Sequence, residues 1–144
     1  GGGPALAYDD QNVFAKILRG EAPAHKVCED AQTLAFMDIM PQTKGHTLIV
    51  PRCPVDNIFD IDPAMLAATI LTTRRVARAV RAAFSPLGVM VGQLNGAAAG
   101  QTVFHLHFHV IPRYEASPFT FHGQSVADPA ELARHADAIR AALD

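Results

Sequence analysis

Between Thr102 and Ile111 the chain alternates without interruption. The run is Thr102-Val103-Phe104-His105-Leu106-His107-Phe108-His109-Val110-Ile111. Alternation of this kind predicts a half-buried strand, because side chains two apart share one face. Phe104, Leu106, Phe108 and Val110 are then expected to face a core, and His105, His107 and His109 the opposite side. On a helix, residues two apart lie about 200° apart, which would turn His107 away from its neighbours. Only the strand makes a histidine surface, and such a surface constrains both fold and chemistry.

Three uses compete for it. Neutral imidazole is a common metal ligand. Alternate residues on a strand are about 6.6 Å apart, so the outer histidines stand about 13 Å apart at the backbone. A zinc ion needs nitrogens at about 2.0–2.1 Å, so two could share an ion, but three only if the strand bends. The second use is nucleophilic catalysis by one imidazole assisted by its neighbours. The third is a polar patch on an exposed sheet face.

The flanks favour phosphorus chemistry. Asn95-Gly96-Ala97-Ala98-Ala99-Gly100-Gln101 places two glycines among small residues just upstream. Such a turn lets backbone amides approach a ligand and form an anion-binding concavity. Downstream, Pro112-Arg113 is expected to end the strand, since proline donates nothing to a ladder.

The segment Gly100-Gln101-Thr102-Val103-Phe104-His105-Leu106-His107-Phe108-His109-Val110-Ile111-Pro112-Arg113 resembles the signature of the histidine-triad nucleotide-binding family. The resemblance extends upstream through Asn12-Val13-Phe14-Ala15-Lys16-Ile17-Leu18-Arg19-Gly20-Glu21-Ala22-Pro23. It continues through Leu34-Ala35-Phe36-Met37-Asp38-Ile39-Met40-Pro41 and Gly45-His46-Thr47-Leu48-Ile49-Val50-Pro51. It covers residues 12–114 in the family's order and spacing, and is strongest to the Hint-like bacterial branch.

What the resemblance implies is specific. His107 would attack the α-phosphorus of a nucleotide and form a nucleotidyl-histidine intermediate that water hydrolyses. His109 would stand by the leaving group and His105 would support the arrangement. Gln101, Thr102, Val103 and Asn95 would hold the phosphate. Asp38 would accept hydrogen bonds from the ribose hydroxyls, which a carboxylate can do with two oxygens. Val13, Phe14, Ile17, Phe36, Met37 and Ile39 would sandwich the base; without the resemblance they read as ordinary core. His46 would support the triad. His25, His122 and His135 are given no role. Implied substrates are purine nucleoside 5′-phosphoramidates, with dinucleoside polyphosphates as the alternative. A nucleotide-binding regulatory module with incidental hydrolysis is a further reading. The family also implies a homodimer.

Some bacterial relatives carry a structural zinc held partly by a Cys-x-x-Cys pair. Here Asn12 and Ala15 stand at the matching positions, and Pro54 replaces a further ligand histidine. No metal and no other cofactor is therefore expected.

A chain of 144 residues with a hydrophobic fraction of 49% fits one globular domain. A formal net charge of −2 implies no broad attraction to a nucleic-acid polymer. No apolar run approaches the roughly 20 residues of a membrane span. With no export signal pattern, a cytoplasmic protein with free Cys28 and Cys53 is expected. Residues 1–11, opening on three glycines, are expected to be an appended or unstructured start, and 12–144 the domain.

A short helix is expected at 14–19, and strands at 25–29, 33–38, 47–50, 89–94 and 102–111. Asp62-Pro63 and Asp128-Pro129 each pair an N-cap with a proline suited to the first helical position. They predict a long helix from 63 and a final one near 130–142. Leu66, Ile70, Thr73, Ala77, Val80 and Phe84 are expected to form the long helix's buried face, with Arg74, Arg75, Arg78 and Arg81 off it as a solvated face. In the implied homodimer the long helix would be one natural contact surface. Residues 117–126 read as a loop. The fold class is α+β, with the largely antiparallel five-stranded sheet of a histidine-triad domain.

Overall fold

The computed structural model describes residues 7–116, 118, 123 and 125–144. Its elements are α1 (Val13–Leu18), β1 (Lys26–Glu29), β2 (Thr33–Met37), β3 (Thr47–Pro51), α2 (Pro63–Phe84), β4 (Gly88–Gln93), β5 (Phe108–Arg113) and α3 (Pro129–Ala142), with a short 3₁₀ turn at Ala97–Ala99. The strands form one sheet in the order β1-β2-β3-β5-β4, each neighbouring pair antiparallel. The expected α+β class is what the chain adopts.

Strand periodicity divides the apolar residues between two layers. Ala35, Met37, Ile49, Phe108 and Val110 join Val76, Val80, Leu132 and Ile139 in the core beneath α2 and α3. Leu34, Phe36, Leu48 and Val50 face the other way and pack with Phe14 and Ile17 of α1. Both faces of β2 and β3 are covered, so their ten residues are all buried. The second face carries the site.

The caps are where the sequence places them. Asp62 accepts from the amides of Ala64 and Met65, with Pro63 in the first turn of α2; Asp128 does the same for Ala130 in α3. Asn12 caps α1, accepting from Ala15 N at 2.9 Å. Gly45 adopts φ +93°, and a Cβ there would come within 2.8 Å of the Phe84 ring. The loop from β2 to β3 can therefore close on the end of α2 only with glycine at this position.

Four expectations change. The strand expected at 102–111 begins only at Phe108. The partner β3 matches β5 only from Thr47 to Ile49. Upstream of that match the backbone turns to the loop after β3, where Leu106 N donates to Val55 O at 2.8 Å. Phe104, expected in the core, is consequently 41% exposed. The second change is Pro112, which lies within β5 rather than ending it, opposite Val89 of β4. Its carbonyl accepts from Thr43 Oγ1 on the β3 side. A strand residue's N–H and C=O point to the same edge, so the missing N–H falls where β3 no longer forms a ladder.

Third, α2 is rotated from its expected seating. Its buried residues are Thr69, Thr73, Val76, Ala79 and Val80. Leu66, Ala77 and Phe84 are only partly buried against the core and Ile70 is 41% exposed. The two buried threonines satisfy their hydroxyls on the carbonyls of Met65 and Thr69, so polarity did not exclude position 69. The four arginines lie on the exposed side. Fourth, residues 8–12, largely assigned to an unstructured start, are hydrogen-bonded: Tyr8 to His105, Asn12 to Tyr8, and Gln11 to Asp9 and Asp10. Residues 1–6 and most of the expected loop at 117–126 lie outside the described residues.

Candidate active site

The three histidines are not equivalent. All are buried, but only His109 stands on a strand, paired with Leu48 of β3. His105 and His107 lie on the irregular approach to β5. His105 is turned behind the site, its Nε2 2.7 Å from the Pro51 carbonyl and its Nδ1 2.5 Å from the Tyr8 hydroxyl. His107 and His109 both border one cavity of about 480 Å³, with ring centroids 5.0 Å apart.

Hydrogen bonds fix the tautomers. His107 Nδ1 is 2.7 Å from the carbonyl of His105. A carbonyl only accepts, so Nδ1 carries the proton and Nε2 the lone pair needed for attack. The Phe14 ring meets the His107 ring edge-on, at 4.8 Å and 88°, and supports its plane. The amide of Gln42 donates to His46 Nδ1 at 2.9 Å. His46 therefore carries its proton on Nε2, which is 2.9 Å from His109 Nδ1. His109 accepts there and so carries its own proton on Nε2. Gln42 and His46 thus set His109 as an N–H donor, opposite in sense to His107.

Asp38 closes this end of the cavity, following β2. Its Oδ1 accepts from Met40 N at 2.8 Å, and Oδ2 lies 3.5 Å from His46 Nε2. Val13, Phe14, Ile17, Phe36, Met37 and Ile39 line the same cavity, as do Thr102 and Val103. Pro23, Ala24, Met40, Leu48 and Gly123 complete it without having been expected. Leu48 was legible as the neighbour of Phe36 across two strands; Pro23 and Ala24 carried no signal beyond their place after α1.

Gln101 and Asn95, like His105 and His46, do not line the cavity. Gln101 is 3% exposed, and its amide ties the loop together: Oε1 accepts from Gly96 N, and Nε2 donates to the carbonyls of Asp56 and Val103. Asn95 accepts from Ile58 N and exchanges amide hydrogen bonds with Gln93. These two side chains shape the loop that presents Thr102 and Val103. Gly96 and Gly100 take φ of +90° and +101°, which the tight turn between them requires.

A metal fits poorly. Asn12 uses both side-chain atoms in hydrogen bonds, and Ala15 and Pro54 have no ligating atom. Among the described residues, Asp38, His46 and His109 bring donor atoms within 4.8 Å of one another. The Gln42 amide, however, keeps the proton of His46 on the nitrogen that would have to bind the ion.

Burial holds the His105 imidazole below its ordinary value of 6.5, partly opposed by its bond to the Pro51 carbonyl. The unfolded chain then binds a proton that the folded chain excludes. Stability from this group is complete above pH 6.5 and is lost as pH falls toward the lowered folded value. Urea unfolding at pH 7.5 and 5.5 should show a lower midpoint at 5.5, and His105→Asn should flatten part of that slope. An identical slope in the variant would remove His105 from the acid response.

Known proteins share both the sequence and the fold of this chain. A family model described as HIT domain matches residues 19–116. The protein called Protein hit of Bacillus subtilis is 42% identical over 102 residues, which are 71% of this chain and 70% of that one. Adenylylsulfatase HINT3 of Arabidopsis thaliana is 38% identical over 103 residues, 72% of this chain and 52% of the plant protein. A crystal structure of a Hit-like protein involved in cell-cycle regulation from Bartonella henselae, with an unknown ligand, superposes with a TM-score of 0.90 at 44% identity, covering 96% of this chain and 100% of that one. On the triad, its cavity and these matches together, the chain belongs to the HIT domain family, whose members are nucleotide-binding proteins of hydrolase type.

Proposed function

We propose that the protein hydrolyses purine nucleoside 5′-phosphoramidates to the nucleoside monophosphate and an amine. The observation that carries this reading is the opposed pair of tautomers. His107 offers a lone pair at Nε2, while His109 offers an N–H, and both border the cavity that Asp38 closes.

In this reading the base lies among Val13, Phe14, Ile17 and Phe36, and the ribose hydroxyls meet Asp38. The phosphate reaches the loop at Thr102 and Val103. His107 Nε2 forms a bond to phosphorus as the phosphorus–nitrogen bond to the amine breaks. His109 N–H stabilises the charge at the reacting phosphate, the usual large contribution of a positioned donor. The amine takes its proton from solvent. Water then breaks the nucleotidyl-imidazole bond, which restores the lone pair and returns a proton. Splitting one hard step into two easier ones is the gain from a covalent intermediate.

The relative named adenylylsulfatase makes adenylyl sulfate a second candidate, because it differs only in the leaving group. The test is a substrate panel of adenosine 5′-phosphoramidate, adenylyl sulfate and diadenosine polyphosphates, each with and without chelator. Chelator-resistant turnover fastest on the phosphoramidate is expected. Activity lost with chelator and restored by zinc would overturn the metal-free reading. Saturable AMP binding without turnover would favour a regulatory module.

The same reading includes a homodimer. Strand β4 is a sheet edge, and Val91 on it is 47% exposed. Ile70 and Leu71 on α2 are 41% and 55% exposed. An open edge beside apolar side chains suits pairing with a second copy about a twofold axis. This also accounts for an apolar pattern on α2 wider than the core uses. Sedimentation at twice the monomer mass, returning to monomer in Val91→Lys, is the expected result. Cytoplasmic residence belongs to the same proposal, and the free thiols Cys28 and Cys53 suit a reducing compartment. Among the described residues no helix is long and apolar enough to cross a membrane.

A further inference from the structure

The segment before α1 reaches the triad from behind the cavity. Tyr8 is partly buried, and its ring stands edge-on to His105, with centroids 5.7 Å apart. Nε2 of His105 faces the Pro51 carbonyl and must be the protonated nitrogen. Nδ1 is then an acceptor, so Tyr8 donates its O–H to it. Asn12 fixes the direction of that hydroxyl. Its Nδ2 donates to the Tyr8 oxygen at 2.9 Å, while its Oδ1 caps α1. The amide fills an acceptor position of the hydroxyl and leaves the O–H pointing at His105.

His105 in turn aims the next histidine, since its carbonyl accepts the Nδ1–H of His107. Tyr8 itself does not line the nucleotide cavity, so it meets no substrate there.

We propose that Tyr8 is a positioning residue for the nucleophile. It holds the ring of His105, whose tautomer the Pro51 carbonyl sets, in one orientation, and thereby holds the carbonyl that aims His107. This rests on the reading of His107 as the attacking group. Burial raises the Tyr8 hydroxyl, so it remains a donor throughout the neutral range; Asn12 and Arg19 oppose the shift, and Asp56 and Asp10 add to it.

Tyr8→Phe keeps the ring and removes only the donor. We expect kcat on adenosine 5′-phosphoramidate to fall about tenfold, the usual scale for one buried hydrogen bond felt in the transition state. KM and AMP affinity should stay within about twofold, because the cavity is untouched. Asn12→Asp keeps the helix cap but turns a donor into an acceptor that competes for the Tyr8 O–H. It should lower kcat in the same sense with the tyrosine still present, and it carries the test if Tyr8→Phe fails to fold.

Imidazole ¹⁵N spectra read the tautomer directly. His105 should stay protonated at Nε2 in both proteins, because the Pro51 carbonyl remains. Its Nδ1 resonance should lose the shift of a hydrogen-bonded acceptor in Tyr8→Phe. Unchanged kcat, or unchanged His105 shifts, in a folded variant would overturn the proposal, even if its thermal midpoint fell. An unaltered protein with no turnover would overturn the proposed function instead. The nitrogen spectra would still decide whether Tyr8 locks His105.

Discussion

His107→Ala is expected to reduce turnover by at least about a thousandfold while AMP still binds. Removing a group that forms the covalent intermediate leaves only positioning and charge stabilisation, and losses of this order or more are usual. Binding should survive because the other contacts remain. Asp38, Thr102 and Val103 stay in place, and so does the apolar wall of Phe14, Ile17 and Phe36. His107 packs on the Phe14 ring, so some local loosening is expected, and an affinity within several-fold of the original is the relevant standard.

Rapid quench with nucleotide-labelled substrate should trap an adduct that is stable in base and labile in acid. It should map to the peptide that holds His107. A label on His105 or His109, or near-normal turnover in the variant, would sink the assignment. A label on another histidine would move the nucleophile to that residue, whereas near-normal turnover with no adduct would favour attack by water with the histidines as bases. His109→Ala should behave differently. It loses an N–H donor to the reacting phosphate rather than the nucleophile, so its effect should be smaller.

Which of these features could be read from the sequence follows from how far each interaction reaches. Helix starts at Asp62-Pro63 and Asp128-Pro129 are local chemistry, and both appear as expected. Val13, Phe14 and Ile17 fall on α1 at a spacing that a short helix presents to one side, and Phe36 of β2 joins Phe14 and Ile17 on that face. Met37 belongs to the opposite face of β2 and borders the cavity only where the strand ends. Alternation misled at 102–107 because it describes side chains and not hydrogen-bond partners. The ladder between β3 and β5 stops at Ile49 although β3 runs on to Pro51: the Pro51 carbonyl meets the His105 ring instead, and Leu106 N turns to the Val55 carbonyl. Ile70 was placed in the core because apolar character cannot distinguish packing on the sheet from an outward apolar face. The contact between Tyr8 and His105 spans 97 positions, and the residues around Tyr8 show no periodicity that would flag it. Gln101 and Asn95 carried a motif, but only the fold shows that their amides brace the loop.

Asp38→Ala is expected to remove most of the protection that AMP gives against thermal unfolding. A hydrogen bond to a charged acceptor contributes about 1.5–3 kcal/mol, so losing the ribose contact should weaken AMP about 10- to 100-fold. AMP at a hundredfold excess over its Kd stabilises the native state by about 2.7 kcal/mol. At the same concentration, a Kd raised about 30-fold leaves about 0.9 kcal/mol of protection. The substitution has local effects too. It frees the Met40 amide from Oδ1 and takes away the carboxylate 3.5 Å from His46. A fall in the variant's own thermal midpoint therefore carries no information about the ribose. The nucleotide supplies the control. If Asp38 accepts from the sugar hydroxyls, 2′-deoxy-AMP should bind the unaltered protein more weakly than AMP. In Asp38→Ala the two ligands should bind alike, and the coupling between the two deletions isolates the contact. Equal protection by AMP in both proteins, or a 2′-deoxy penalty that persists in Asp38→Ala, would place the ribose elsewhere in the cavity.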